Sequence, residues 1–138
     1  MYKILKIFSI TLIFVVYLYP LSFSSEQKIK IGLLVPLTGE DKEIGEQIVK
    51  SARIALKDIN SKKIEIFPKD TGSNPDKTIQ SAIELKNIGV KVVIGPVFYK
   101  SLKYLDEMED LIFVSLTNKT IDLPNNVISG GINATSQL

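Results

Sequence analysis

Two short segments carry the side chains best suited to recognising a ligand. Gly95-Pro96-Val97-Phe98-Tyr99-Lys100-Ser101 follows an apolar run and leads toward a helix start. Free N–H groups at such a start favour an anion, Ser101 adds a hydroxyl, and Phe98 or Tyr99 adds a stacking face. Ser115 and Thr117 follow the next apolar run and approach the same crevice. A purely structural reading stays open beside this one: Ser101 caps its helix and Phe98 packs beneath the loop.

Catalysis has little to work with. The chain has no histidine and no cysteine, which removes the commonest general base, the thiol nucleophile and nearly all zinc and copper sites. An enzyme would have to draw both nucleophile and base from Ser and Lys. Gly39 and Gly45 are spaced one residue too far apart for a phosphate loop, and Glu46-Gln47 stands where Lys-Ser/Thr is required. No Gly-x-Gly-x-x-Gly occurs, so there is no dinucleotide fingerprint. Asp70 reads as a turn aspartate bonding nearby backbone N–H groups. Asp106, Glu107, Glu109 and Asp110 lack the glycine and ligand spacing of a calcium loop and read as a solvated helix face. Asn118-Lys119-Thr120 and Asn133-Ala134-Thr135 match a glycosylation pattern that is frequent by chance. No cofactor or metal is expected.

The elements that would position these groups alternate between strand and helix. Ile29-Lys30-Ile31-Gly32-Leu33-Leu34-Val35 begins with alternation and ends in a continuous apolar run, as in a strand entering the middle of a buried sheet. Thr38-Gly39-Glu40-Asp41 has a capping pattern, and Ile44, Ile48, Ala52, Ala55, Leu56 and Ile59 recur at helical spacing, predicting a helix over 41–60. Ile64-Glu65-Ile66-Phe67 predicts a strand near the sheet edge, ending before Pro68. Asn74 as N-cap and Pro75 at the first position open a second helix with a stripe of Ile79, Ala82, Ile83 and Ile88, closed by Gly89. The run 90–94 predicts a central parallel strand. A third helix over 101–110 follows, with Leu102, Leu105 and Met108 inward, then strands over 111–115 and 127–129. This alternation predicts a doubly wound α/β fold with a mainly parallel sheet and helices on both faces. Functional groups then belong at the carboxyl ends of the strands.

The first 25 residues differ from the rest, with 17 apolar residues, two lysines (Lys3 and Lys6) and no other charge. A basic start, the apolar run 7–18, Pro20 and the small residues Ser22, Ser24 and Ser25 have the layout of a secretory signal peptide over 1–25. Without cysteine there is no lipobox, so export to the periplasm as an unanchored protein is expected, with membrane contact only through the signal sequence. Subtracting the two leader lysines from 17 Lys and Arg leaves 15 against 15 Asp and Glu. A formally neutral chain carries no nucleic-acid footprint.

Taken in order, Ile31-Gly32-Leu33-Leu34-Val35-Pro36-Leu37-Thr38-Gly39, Ala55-Leu56-Lys57-Asp58-Ile59-Asn60 and Val93-Ile94-Gly95-Pro96 resemble the amino-terminal lobe of type I periplasmic binding proteins, of which the Leu/Ile/Val-binding proteins are the best-known branch. The resemblance implies a non-enzymatic protein that holds a small, carboxylate-bearing solute in an interlobe cleft and delivers it to an ABC permease. It also implies that 26–138 is an incomplete amino-terminal lobe, whose uncovered hinge and cleft faces leave it either marginally stable in solution or associated through them. In that family the loop after the third strand offers a serine pair to the ligand; here Phe98-Tyr99 stands in its place, while Thr117 and Asn118 match the next loop. The ligand-binding set implied is Thr38, Phe98, Tyr99, Ser101, Ser115, Thr117 and Asn118. Asp70-Thr71-Gly72, Gly95-Pro96-Val97-Phe98 and Ser115-Leu116-Thr117-Asn118-Lys119 also resemble the penicillin-binding protein activators, which implies an envelope regulator contacting a peptidoglycan synthase as the alternative.

Overall fold

A computed structural model describes residues 27–131, so the expected leader and Asn133 lie outside the described residues. The elements are β1 (Ile29–Val35), α1 (Lys42–Ile59), β2 (Ile64–Asp70), α2 (Pro75–Asn87), β3 (Val92–Ile94), two 3-10 turns (Tyr99–Leu102 and Leu105–Glu107), β4 (Ile112–Ser115) and β5 (Val127–Ser129). All strand pairs are parallel, and the sheet order is β2-β1-β3-β4-β5. This is the expected α/β sheet with helices on both faces.

Side chains alternate across the sheet, so Leu33 and Leu34 enter two different cores. Leu34 joins Val93 and Phe113 under Ala82 and Leu85 of α2 and Leu102 and Leu105 of the 3-10 turns. Leu33 and Val35 pack against Val49 of α1 on the opposite face. There α1 covers β1 and β2, while Val92, Ile112 and Ile128 remain 38, 49 and 59% exposed. These three share that face, because Val92 is in register with Ile112 and Val114 with Ile128.

Several expectations are corrected. The strand over 64–67 runs on through Pro68 to Asp70, which an edge strand tolerates because a proline there leaves no partner strand without a donor. On α1 the buried residues are Gly45 and Val49, with Ile48 and Ala52 of the expected stripe packed beside them and Ile44 and Ile59 exposed. The cause is Gly45: a Cβ there would lie 1.7 Å from the Pro36 carbonyl oxygen, so the first helical turn rests directly on the end of β1. On α2 the buried residues are Thr78, Ser81, Ala82 and Leu85, while Ile83 and Ile88 are exposed. Polar groups can face inward here because they are satisfied: the Thr78 hydroxyl donates to the Asn74 carbonyl at 2.7 Å and the Ser81 hydroxyl to the Asp70 carbonyl at 2.8 Å. The Asn74 cap is as expected, its side chain accepting from the Lys77 N–H at 3.0 Å.

The third helix over 101–110 is absent; two 3-10 turns separated by Tyr104, at φ 65°, occupy its place. Leu102, Leu105 and Met108 are nonetheless buried as expected. Residues three apart line up when the backbone turns three residues at a time, so this spacing suits the tighter winding as well. Asn126 holds the turns in place, its amide donating to the carbonyls of Leu105 at 2.7 Å and Met108 at 3.0 Å.

Candidate functional site

The carboxyl ends of β1 to β4 lie along one edge of the sheet, and the loops that leave β1 and β2 are tied together by one carboxylate. Asp70, in register with Val35, accepts at Oδ1 from the N–H groups of Leu37 at 2.7 Å, Gly72 at 2.9 Å and Thr38 at 3.2 Å. Its Oδ2 accepts from the Thr38 hydroxyl at 2.6 Å and from Lys77 Nζ at 2.5 Å. Burial alone would push this carboxyl up; the hydrogen bonds from Lys77, Thr38, Leu37 and Gly72 outweigh it and hold the group well below its usual value. Asp70 is thus the turn aspartate expected, extended across two other elements. The capping pattern expected at Thr38 and Asp41 is replaced: Thr38 serves Asp70, and the Asp41 carboxylate accepts from the Ser73 hydroxyl at 2.7 Å.

The loops after β3 and β4 are joined in a different way. A cis Gly95–Pro96 bond follows β3. The Pro96 carbonyl accepts from the Leu116 N–H and from the Ser115 hydroxyl, both at 3.0 Å. Ser115 Oγ accepts in turn from the Thr117 N–H at 3.3 Å, and the Thr117 carbonyl from the Ser129 hydroxyl at 3.1 Å. Ser115 and Thr117 are therefore buried and engaged in holding the two loops and β5 together.

Ser101 is buried inside the first 3-10 turn, and its hydroxyl has no hydrogen-bond partner. It caps no helix, because a 3-10 turn stands where the α-helix start was expected. Phe98 is half-buried, whereas Tyr99, Thr38 and Asn118 are exposed. The Tyr99 ring carries Lys119 on one face, with the ammonium 3.6 Å from the ring centre. Beside it opens a hollow of about 640 Å³, in which Tyr99, Leu102, Tyr104 and Leu123 supply apolar surface and the charges are Lys100 and Lys103 with Asp106 and Asp122. Of the seven expected residues, the structure thus leaves Thr38, Phe98, Tyr99 and Asn118 reachable and places Ser101, Ser115 and Thr117 inside. Lys77 and Lys119 escaped sequence reasoning, since a lysine gives no local sign of the partner it meets 7 or 20 residues away. Among the described residues no group of three His, Cys, Asp or Glu is placed to hold a metal ion. The arrangement can stack a planar or apolar group on Tyr99 and attract negative charge with lysines.

A family model described as periplasmic binding protein matches residues 28–133. The chain belongs to that family. It is similar to the Leu/Ile/Val-binding protein BraC3 of Rhizobium johnstonii, with 32% identity over 75 residues, half of this chain and 20% of that protein. Among solved structures it is similar to an ABC-transporter solute-binding protein of Rhodopseudomonas palustris BisB5 in complex with 3,4-dihydroxybenzoic acid. That match has 28% identity and a TM-score of 0.59, and covers 65% of this chain and 27% of the other. Two further likenesses show the fold alone. The isoleucine-bound LivJ of Streptococcus pneumoniae gives a TM-score of 0.68 at 21% identity over 78% of this chain and 34% of its own. The C-domain of Haemophilus influenzae LpoA, a regulator of PBP1A, gives 0.61 at 23% over 75% and 32%. The chain thus spans about a fifth of the curated relative and a quarter to a third of these structures.

Proposed function

We propose that this chain is an exported, non-enzymatic ligand-binding lobe, residues 26–138 following a cleaved leader over 1–25. It holds a small carboxylate-bearing solute at the carboxyl ends of its strands, for delivery to an ABC permease. The reading rests above all on Tyr99 and Lys119, an exposed aromatic face and a cation brought together from the loops after β3 and β4. Tyr99 and Phe98 stack on the apolar part of the solute, Lys119 and Lys100 attract its carboxylate, and Thr38 and Asn118 supply hydrogen bonds. Ser115 and Thr117 set the spacing of the two loops, and a second lobe closes over the solute.

A bound solute stabilises the folded state by mass action, by about 2.7 kcal/mol at a hundredfold excess over its dissociation constant. A thermal-shift series with free amino acids and hydroxybenzoates therefore tests the proposal, and a shift with one class is the expected result.

One observation favours the alternative of an envelope regulator. Two bulky aromatic residues, Phe98 and Tyr99, stand where the solute-binding branch offers a serine pair, and a surface aromatic of this kind suits a protein partner. Absence of any shift, together with saturable binding of a purified peptidoglycan synthase, would establish that alternative instead.

A further inference from the structure

The outer side of α1 carries a groove of about 580 Å³ between the helix and the edge strand β2, reaching the carboxyl ends of β1 and β2 at Leu37 and Pro68. Leu37, Val49, Ile54 and Pro68 make its apolar floor, and Lys50, Arg53 and Lys57 line it from the helix. The three cations recur at i, i+3 and i+7, so they stand on one stripe about 10 Å long. Arg53 is the only arginine in the chain. Three other lysines near this sheet edge are engaged: Lys28 pairs with Glu65, Lys69 with Glu84 at 2.5 Å and Lys77 with Asp70 at 2.5 Å. Lys50, Arg53 and Lys57 have no acidic partner among the described residues. The one acid in the groove, Glu46, is held by Lys42 at 3.3 Å.

From this charge pattern we infer that the groove is a docking surface for an acidic amphipathic helix of a partner protein, with carboxylates at matching three- and four-residue intervals beside an apolar ridge. A single-headed anion would meet one or two of the cations, whereas a stripe of this length needs a repeating acidic chain. A flat anionic bilayer would reach the rim but not the floor, where Val49 is buried against the sheet. A helix laid in the groove satisfies both, its ridge filling the floor and its carboxylates meeting the rim.

The test uses the full chain and a fluorescent helical peptide with glutamates at i, i+3 and i+7 flanking a leucine ridge, alongside the same peptide with lysines for glutamates. Anisotropy titration should show saturable binding of the acidic peptide that weakens as salt is raised. Reversing Lys50, Arg53 and Lys57 to Glu should weaken that binding about tenfold or more and confer binding of the lysine peptide. Far-UV circular dichroism checks the variant's fold, and Arg53→Glu alone, with a several-fold loss expected, serves if the triple variant does not fold. Unchanged affinity on charge reversal, no saturable binding of the acidic peptide, or binding of phosphatidylglycerol vesicles in its place would each overturn the inference.

Discussion

The Lys119 ammonium lies 3.6 Å from the centre of the Tyr99 ring, joining two loops that leave neighbouring strands. The contact presents an aromatic face and a positive charge side by side at the carboxyl ends of the strands. A double-mutant cycle with Tyr99→Ala and Lys119→Ala should give a coupling of about 0.5–1 kcal/mol in chemical denaturation, as expected for a cation over a ring at an exposed site. Strict additivity would mean that the contact does not persist in solution.

Asp70 carries more weight for stability. Its carboxylate accepts five hydrogen bonds from three segments, and Asp70→Asn leaves Lys77 without its counter-ion. A loss of about 2–3 kcal/mol is expected by urea denaturation at neutral pH.

The pH dependence has a definite sign. Because the folded carboxyl is held below its ordinary value of 3.8, the stabilisation is fully present above that value. It is lost as pH falls from there toward the lower folded value, where the native carboxylate also takes up its proton. Wild type should therefore lose more stability than Asp70→Asn between pH 6 and pH 3. Parallel losses in the two proteins would contradict the depressed carboxyl.

Gly45 and Gly32 should respond differently to alanine. At Gly45 the new Cβ meets a backbone carbonyl at 1.7 Å, whereas at Gly32 it meets the tip of the Leu85 side chain at 2.6 Å, which can rotate away. Gly45→Ala should cost about 3 kcal/mol or more and Gly32→Ala about 1 kcal/mol, measured by thermal or urea denaturation.

The apolar face of β3 to β5 opposite α2 should make the chain self-associate, since parallel sheets are normally covered on both faces. Sedimentation at rising concentration should show association that Ile112→Lys with Ile128→Lys reduces, with little change in the melting temperature because both side chains are exposed. A monomer at all concentrations would show that this face is tolerated bare.

Much of the fold was legible because its signals are local. The apolar run ending at Val35, the Asn74-Pro75 helix start and the weak strand over 127–129 each declare themselves within a few residues, and the structure has all three. The segment after Tyr99 is ambiguous in sequence because Leu102, Leu105 and Met108 are spaced three apart, a pattern that α-helical and 3-10 windings both satisfy. The rotation of α1 depends on how closely Gly45 meets Pro36, a tertiary distance with no local signature. In the candidate site, Phe98 and Tyr99 stood out by type and loop position, but the engagement of Ser115 with Pro96 and of Thr38 with Asp70 spans 19 and 32 residues and had to be seen in three dimensions.

Isothermal titration of wild type and Tyr99→Ala with the solute that gives the largest thermal shift tests the central claim most directly. The account predicts saturable one-site binding to wild type and a loss of tenfold or more in Tyr99→Ala, whose fold should be intact because the ring is 43% exposed. Equal affinity in the two proteins would place the solute elsewhere and contradict a binding site at the carboxyl ends of the strands.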